Sequence, residues 1–292
     1  MTKHSVIKIL IIIFTCTIFL FEIIIEYRSD EFMVFFLDVG QGESTLIRSP
    51  EGRYALIDTG PGQDALEELG KYFPISENKI DLLILSHFDK DHIGGLEQLL
   101  RTYNVDRVVY NESDPDITNN ILDQLGSLTK INNLSDTNFR LGCCLLFNWL
   151  NVVEPRSDSN SQSIAFRLDY NDLNLFFGGD LPASVEDKLT SNIGDVEVLK
   201  VSHHGSKTST STLFLDHITP EFAIISVGIN NSYDHPHQQV IDNLQSRKVQ
   251  IKRTDLQGTQ VLLATETNFE MISTDKCQYY CAYRLYLKKY LP

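Results

Sequence analysis

Four side chains that can bind a metal ion fall within six residues of this chain, in the stretch HFDKDH at 87–92. They are His87, Asp89, Asp91 and His92. The apolar run DLLIL precedes the stretch and GGLEQLL follows it, so a buried strand is expected to end there and a helix to begin. Carboxylates and imidazoles crowded in this way repel and desolvate one another unless a cation lies among them, and they suit Zn²⁺ or Mn²⁺. The alternative is a solvated acidic loop.

Further candidate ligands follow two other predicted strands. Asp180 comes after LNLFFGG, and His203 and His204 come after VEVLKVS. Because strand ends hold side chains in fixed directions, these residues could converge on one metal centre with the first four. Taken singly, each could instead have a structural role. Asp180 could cap a helix that starts near Pro182, and the histidine pair could lie in a surface turn.

The order of apolar segments predicts an α/β fold. The predicted elements of the first part are strands at 33–39, 44–49 and 53–59, a helix at 63–73, a strand at 81–87, a helix at 94–103 and a strand at 106–110. The second half repeats this mixture and closes on a hairpin of GTQVLLAT and NFEMIST. An opening meander followed by alternating helices and strands favours one domain with a mixed sheet or two sheets.

Several further motifs accompany the HFDKDH stretch. LIDTG at 56–60 precedes it, and GGD at 178–180 and SHHGS at 202–206 follow it. This set resembles the metallo-β-lactamase superfamily. FLDVGQGES at 36–44, together with HHGSK, DHPH and RTDLQG, is more narrowly similar to the extracellular metallo-hydrolase domain of the ComEC family of DNA-uptake competence proteins. The resemblance covers nearly the whole chain after residue 33, and it implies a four-layer αβ/βα sandwich of two mixed sheets with a metal site at one edge.

The resemblance also implies two divalent metal ions, Zn²⁺ or Mn²⁺, and assigns their ligands by position. One site would take Asp91, His92, Asp180 and His204, and the other would take His87, Asp89 and the bridging Asp180.

The site with His87 and Asp89 is expected to be the weaker one. The superfamily normally supplies it with a further histidine, but no histidine occurs between His92 and His203. Asn160 or Ser163, in the stretch NSQS, occupies about that place. A site with few nitrogen ligands should hold zinc less tightly and tolerate Mn²⁺.

The implied reaction is hydrolysis of a phosphodiester by a metal-bound hydroxide. Asp91 is expected to be a ligand on which catalysis depends, and His203 and His235 are expected to contact the substrate phosphate or protonate the leaving oxygen. Asp58 in LIDTG is expected to support the metal loop, and Gln41 to lie near the metal edge and touch substrate. For His235, a structural position at the start of a helix is the alternative.

These features favour a metal-dependent phosphodiesterase, specifically a nuclease on single-stranded DNA. Two alternatives stay open. One is a hydrolase of a small phosphodiester, such as a phosphorylcholine or cell-wall ester, and the other is a non-catalytic accessory that binds nucleic acid or scaffolds a membrane complex. The net charge of −14 disfavours a bulk electrostatic grip on nucleic acid. Arg247, Lys248, Lys252 and Arg253 form one basic cluster, which is either a track for a phosphate backbone or a solvated helix end and strand.

An almost wholly apolar segment, SVIKILIIIFTCTIFLFEIII, occupies residues 5–25. At 1.5 Å per residue, about 20 residues cross a ~30 Å hydrocarbon core, which predicts one transmembrane helix within an anchor at 1–31. Lys3 and Lys8 precede most of the segment, so the positive-inside rule predicts that the hydrolase domain, 32–275, lies outside the cytoplasm of a single-pass membrane protein. A cleaved signal peptide and a secreted protein are the alternative.

The cysteines add little. Cys143 and Cys144 are adjacent in the apolar stretch CCLLFNWL and are expected to be buried and unpaired rather than joined as a vicinal disulfide. Cys277 and Cys281 lie in a basic, aromatic tail at 276–292, where they could pair if the domain is extracytoplasmic.

Overall fold

The computed structural model describes residues 31–73, 77–111, 128–131, 138–150 and 158–274, with a few single positions outside these ranges. The chain divides into two compact units, Met1–Glu31 and Phe32–Pro292. Apart from single positions, the predicted anchor lies outside the described residues, as does the tail with Cys277 and Cys281. No helix among the described residues combines the length and the apolar character that a membrane span needs.

The first sheet begins with the predicted meander. Its strands are β1 (Phe32–Phe36), β2 (Thr45–Arg48), β3 (Tyr54–Ile57), β5 (Leu82–Ile84), β7 (Arg107–Val109), β8 (Thr129–Ile131), β16 (Gln260–Ala264) and β17 (Phe269–Ser273). Two short strands, β4 (Lys79–Ile80) and β6 (Asn104–Val105), form a separate pair. Within the described residues the order across the sheet is β17–β16–β1–β2–β3–β5–β7–β8. The strands from β17 to β3 pair antiparallel, and those from β3 to β8 pair parallel. The predicted closing hairpin therefore extends the first sheet.

The second sheet repeats this plan. Its strands are β9 (Phe139–Leu141), β10 (Leu145–Leu150), β11 (Ala165–Tyr170), β12 (Leu173–Phe177), β13 (Val198–Lys200), β14 (Phe222–Ile225) and β15 (Gln250–Arg253). In the described part of the chain they lie in the order β15–β14–β13–β12–β11–β10–β9. Pairing is antiparallel from β9 to β12 and parallel from β12 to β15, so both sheets are mixed.

Helices cover the outer face of each sheet. They are α1 (Gln63–Gly70), α2 (Lys90–Ile93), α3 (Leu96–Thr102), α4 (Ala183–Ile193), α5 (Thr212–Ile218), α6 (Gln238–Ser246) and α7 (Thr254–Gln257). Alternation along β1 shows the layering. Phe32, Val34 and Phe36 pack between the two sheets, whereas Phe35 packs with α1 and α3 on the outside. Helices α4, α5 and α6 cover the second sheet in the same way. Strands that are buried on both faces have continuous apolar sequences, as seen here. With helices outside each of two packed sheets, the predicted four-layer αβ/βα sandwich is confirmed.

The parallel halves of the two sheets position the chemistry. The carboxyl ends of β3, β5, β12 and β13 run into the loops that carry Asp58, His87, Asp180 and the His203–His204 pair. Side chains at the carboxyl ends of parallel strands meet at one edge of a sheet. The motifs are far apart in sequence and are brought together by this topology.

The prediction for Cys143 and Cys144 is wrong. The two residues form a disulfide in the turn between β9 and β10. The apolar character of the stretch belongs to Leu145 and Phe147, which alternate into the core, while Cys143 is exposed at the turn. The Cys143 backbone N–H donates to Glu51 Oε1 at 2.8 Å, which attaches this turn to the first sheet.

Candidate metal centre

The predicted ligands come together at one edge of the sandwich. His87 lies in the loop after β5, Asp89 is the residue before α2, and Asp91 and His92 lie within α2. Asp180 follows β12, and His204 follows β13. The alternative role for Asp180 as a helix cap is wrong, because α4 begins after Pro182 without a side-chain cap.

Four buried polar atoms in this cluster have no hydrogen-bond partner among the residues that the structure describes. They are Nε2 of His87, of His92 and of His204, and Oδ1 of Asp180. An unpaired buried polar atom costs about 1–3 kcal/mol, and four of them in one place are a heavy penalty unless another species binds them. A divalent cation accepts imidazole nitrogen and carboxylate oxygen together. The donor set therefore fits the metal ions that the sequence predicts.

Asp180 lies between two groups of ligands. Its Oδ1 is 3.2 Å from His92 Nε2 and 3.7 Å from His204 Nε2. Its Oδ2 is 3.9 Å from His87 Nε2. Asp91 lies with the first group, with its Oδ2 3.4 Å from His204 Nε2. One carboxylate thus presents a different oxygen to each predicted site, as a bridging ligand would.

A hydrogen-bond network fixes which nitrogen of each imidazole faces the centre. Asp58 is fully buried, and its Oδ2 lies 2.7 Å from His92 Nδ1. The same carboxylate accepts from the Ser86 backbone N–H at 2.7 Å and from the Ser86 hydroxyl at 2.6 Å. That hydroxyl lies 3.1 Å from His87 Nδ1. Since each Nδ1 has a partner outside the centre, each Nε2 is directed inward, where a cation would bind it. The structure places Asp58 in the supporting position predicted for it.

His204 is oriented in the same way by the second sheet. Its Nδ1 lies 2.9 Å from the carbonyl oxygen of Ser226, at the end of β14. His203 and His204 both adopt left-handed backbone conformations, with φ of 51° and 52°. Non-glycine residues seldom adopt this conformation, and such strain is typical of functional turns.

Electrostatics keep the carboxylates of the centre negative. Burial would raise the pKa of the Asp180 carboxyl, but the imidazoles of His92 and His204 outweigh burial and hold the pKa well below its usual value. Burial would also raise the pKa of Asp91, but the nearby imidazoles of His204 and His92 together lower it below its usual value. Burial would lower the pKa of His92, yet Asp180 and Asp58 raise it well above its usual value. The carboxylates of this cluster stabilise nearby positive charge, so the cluster is suited to bind a cation.

One side of the cluster is open to solvent. The side chains of Asp89, Asp91 and His203 are 46%, 33% and 25% exposed, whereas those of His87 and His92 are at 0%. The exposed groups mark the side from which a substrate would enter.

The surroundings of Asp89 agree with a nitrogen-poor second site. Asp89 Oδ2 lies 3.6 Å from His87 Nε2, and its Oδ1 accepts from the Ser159 hydroxyl at 2.9 Å. The next residue, Asn160, has a buried Oδ1 without a hydrogen-bond partner. Ser163 has a different role, since its hydroxyl accepts from the Asp180 backbone N–H at 3.1 Å.

Two further histidines line the open side. His203 Nε2 is 3.8 Å from Asp180 Oδ2. The ring of His235 lies 5.7 Å from that of His203, and its Nδ1 is buried without a partner. Burial lowers the pKa of His203, and burial together with His204 and His203 lowers the pKa of His235 to about 4. His235 lies three residues before α6, which begins at Gln238 after the N-cap residue His237.

The turn that contains Gln41 packs on the metal loop. The Glu43 backbone N–H donates to the Asp91 carbonyl at 3.1 Å, and a side chain at Gly42 would collide with that same carbonyl oxygen. The side chain of Gln41 accepts from the Gly228 backbone N–H at 3.2 Å. Gln41 therefore joins two loops of the edge, and this contact is structural.

A buried ion pair that the sequence did not reveal connects the two sheets here. Lys200 Nζ lies 2.7 Å from Glu43 Oε2, and both side chains are 1% exposed. Ser86 and Ser226 were also missed as orienting groups. The position of Ser86, directly before a ligand at a strand end, was a signal that could have found it.

The two arginines of the basic cluster form ion pairs within the chain. Arg247 Nη2 lies 2.7 Å from Asp216 Oδ1, and Arg253 Nη2 lies 2.7 Å from Asp255 Oδ2. Both guanidinium groups are therefore committed to ion pairs, so a phosphate track at this cluster would depend on Lys248 and Lys252.

Comparisons with known proteins agree with this geometry. Residues 37–228 match the metallo-beta-lactamase superfamily. The chain is 32% identical over 267 residues to ComE operon protein 3 of Bacillus subtilis, covering 84% of this chain and 34% of that protein. It is 31% identical over 264 residues to Recombination protein 2 of Haemophilus influenzae, covering 85% and 30% respectively. The chain thus spans about a third of the length of these curated relatives.

A solved structure shows the same fold. The metallo-beta-lactamase fold protein YhfI of Bacillus subtilis has a TM-score of 0.56 at 12% identity, over 82% of this chain and 100% of that one.

Proposed function

The chain belongs to the metallo-beta-lactamase superfamily, and from this premise we propose that it hydrolyses phosphodiester bonds, with single-stranded DNA as its substrate. The observation that carries the proposal is the set of unpaired buried atoms on His87, His92, His204 and Asp180. Divalent ions held there would supply Lewis acidity, which stabilises negative charge on a phosphoryl group and makes water a better nucleophile.

The residues of the chain have distinct tasks in this scheme. Asp58 and Ser86 hold the imidazoles of His87 and His92 in one tautomer and orientation. His203 and His235 lie at the open side, where neutral imidazoles with lowered pKa values still carry one N–H donor each. His235 is better suited to bind the phosphate by a hydrogen bond than to protonate a leaving oxygen, because with a pKa of about 4 it holds no spare proton at neutral pH. The lowered pKa of His203 favours the same role for that residue.

The resemblance to the ComEC family of DNA-uptake competence proteins, and the similarity to Recombination protein 2 of Haemophilus influenzae, support DNA as the substrate. A small phosphodiester is the second candidate, and one observation favours it. Arg247 and Arg253, the two arginines of the basic cluster, are held in ion pairs and provide no clear path for a phosphate backbone.

The test compares two substrates and two matched variants. The full chain, purified in mild detergent because residues 5–25 are apolar, is loaded with Mn²⁺ or Zn²⁺ and given labelled single-stranded DNA or methyl p-nitrophenyl phosphate. We expect Asp91→Asn to abolish turnover, because it removes a charged ligand. Asp172→Asn, a change at an exposed carboxylate in the turn between β11 and β12, should leave turnover unchanged.

Cleavage of DNA by the wild type and not by Asp91→Asn supports the proposal. Turnover of the small ester alone supports the second candidate instead. Absence of turnover with both substrates, or full activity of Asp91→Asn, refutes the hydrolase and favours a non-catalytic accessory.

We also propose that the two metal sites differ in affinity. The site with His87 and Asp89 has one imidazole, and the unpartnered Oδ1 of Asn160 is its candidate amide ligand. Dialysis of the zinc-loaded chain should leave about one ion per chain, and Asn160→Ala should weaken the second ion further. Two zinc ions that survive dialysis would contradict this difference.

For location we propose a single-pass membrane protein anchored through residues 1–31, with the hydrolase domain outside the cytoplasm. The apolar segment at 5–25 and the preceding lysines support it. Protease added to intact cells should degrade the domain, and a protected domain would contradict this orientation.

A further inference from the structure

One loop beside the metal centre exposes large apolar side chains. Among the described residues, the large hydrophobic side chains that are at least half exposed are Leu213, Ile229, Tyr233 and Leu256. Ile229 and Tyr233 both lie between β14 and α6, and the Tyr233 side chain is 61% exposed. An aromatic ring left exposed beside a catalytic cleft is typical of a binding surface.

The loop is held rigidly by one side chain. Asn231 Nδ2 donates to the carbonyl oxygens of Gly228 at 3.1 Å and His235 at 2.7 Å. Asn231 Oδ1 accepts from the backbone N–H groups of Tyr233 at 3.1 Å and His235 at 3.0 Å. Four hydrogen bonds from a single amide fix the backbone on both sides of Tyr233. The ring is therefore presented in a defined position.

Both ends of the loop are attached to the metal edge. At the start, the Gly228 backbone N–H donates to Gln41. At the end, Pro236 packs so closely on Gly205 that a Cβ there would lie 2.6 Å from the proline ring, and the His237 backbone N–H donates to Gly205 at 2.9 Å. Since Gly205 directly follows His204, the loop cannot shift without moving the residue next to a metal ligand.

A series of rings leads from the metal centre to the surface. The rings of His204 and His235 are 6.4 Å apart with an angle of 28° between their planes. The rings of His235 and Tyr233 are 5.7 Å apart with an angle of 25°. Tyr233 is thus the outermost of three roughly parallel rings, and its exposed face continues the series into solvent.

We propose that Tyr233 is the stacking platform for a nucleobase of the substrate, next to the phosphodiester that is cleaved. This proposal rests on the proposed function and gives it a source of affinity. Every base offers a flat face, so stacking on an aromatic side chain suits a strand of any sequence. The neighbouring Asp234 is exposed and acidic, which disfavours a phosphate at this position and favours the uncharged base.

The test removes either the ring or the base. Wild type, Tyr233→Ala and Tyr233→Phe are compared on a decamer of thymidylate and on an abasic decamer with the same phosphates. Leu213→Ala is the matched control, since it shortens a similarly exposed apolar side chain on α5. Melting temperatures confirm that each variant is folded. Binding of both decamers is also measured by fluorescence anisotropy in an Asp91→Asn background, where cleavage is blocked.

We expect the wild type to prefer the thymidylate decamer by about tenfold in kcat/KM and in affinity, the effect of one base–aromatic stack. Tyr233→Ala should lose that preference and leave the abasic decamer unchanged, while Tyr233→Phe and Leu213→Ala should keep it. Equal cleavage of both decamers by the wild type, or a preference that survives Tyr233→Ala, would overturn the stacking role and leave the hydrolase intact. If neither decamer is cleaved but the preference in binding depends on Tyr233, the nuclease fails and the platform stands.

Discussion

The buried pair of Glu43 and Lys200 should stabilise the edge of the sandwich that carries the metal centre. Glu43 lies two residues before β2 of one sheet, and Lys200 ends β13 in the other. Their charged atoms are 2.7 Å apart, both side chains are 1% exposed, and Lys200 Nζ also contacts the Val201 carbonyl at 3.3 Å. The pair thus joins the two sheets without access to water.

Lys200→Met is the informative change, because it keeps the length of the side chain and removes the charge. It leaves the Glu43 carboxylate buried without its partner, and breaking a buried pair from one side costs about 3–5 kcal/mol. We expect a loss of about 4 kcal/mol in the free energy of unfolding, a large part of the 5–15 kcal/mol typical of a domain. Glu43→Gln combined with Lys200→Met removes both charges, and the double variant should lie within about 2 kcal/mol of the wild type.

Urea unfolding of the full-length variants, followed by circular dichroism, measures these differences. Arg101→Met is the control, since Arg101 pairs with Glu97 on the surface, where the two side chains are 76% and 60% exposed. An exposed pair contributes about 0–1 kcal/mol. The reasoning fails if Lys200→Met costs as little as Arg101→Met, or if the double variant is no more stable than Lys200→Met alone.

Two further predictions concern carboxylates that the structure buries. Asp58→Asn should weaken metal binding about 10- to 100-fold, because an amide cannot accept all three hydrogen bonds from Ser86 and His92. Zinc titration measures this affinity, and an unchanged affinity would contradict the prediction. Burial raises the pKa of Glu186 to about 7, above its unfolded value, so the stabilisation it gives is complete at low pH and is lost as pH rises through about 7. From pH 5 to 8 the wild type should therefore lose about 2–3 kcal/mol relative to Glu186→Gln in urea unfolding, and parallel pH profiles would argue against a buried, protonated carboxyl.

The sequence predicted most of the centre because its ligands sit at strand ends. An apolar run followed within a few residues by His87 or Asp180 shows where the strand ends and which polar side chain lies at that end. The parallel topology then follows from strands that alternate with helices, so the convergence of these motifs could be inferred from the sequence alone.

Contacts between distant segments could not be predicted in this way. Lys200 is one charged residue in the apolar run VEVLKVS, and nothing local indicates that its partner lies 157 residues earlier. The disulfide of Cys143 and Cys144 depends on a turn between β9 and β10, two strands that no periodic pattern identified. The hydrophobic pattern of the sequence indicates which residues are buried. The partner of a buried charged side chain, however, depends on how the two sheets pack against each other.

These contacts bear on the apparent conflict between an acidic chain and a nucleic-acid substrate. A net charge of −14, with Arg247 and Arg253 already paired, gives little grip on a phosphate backbone. Affinity for a strand would instead come from the metal centre and from stacking on Tyr233, neither of which releases many counterions. Each neutralised phosphate of a single strand contributes about −0.7 to the slope of log affinity against log salt, so one or two contacts predict a slope of about −1. Anisotropy titrations from low to high salt measure it. A slope of about −4 or steeper would show a basic track elsewhere on the protein and would refute the view that a few local contacts hold the strand.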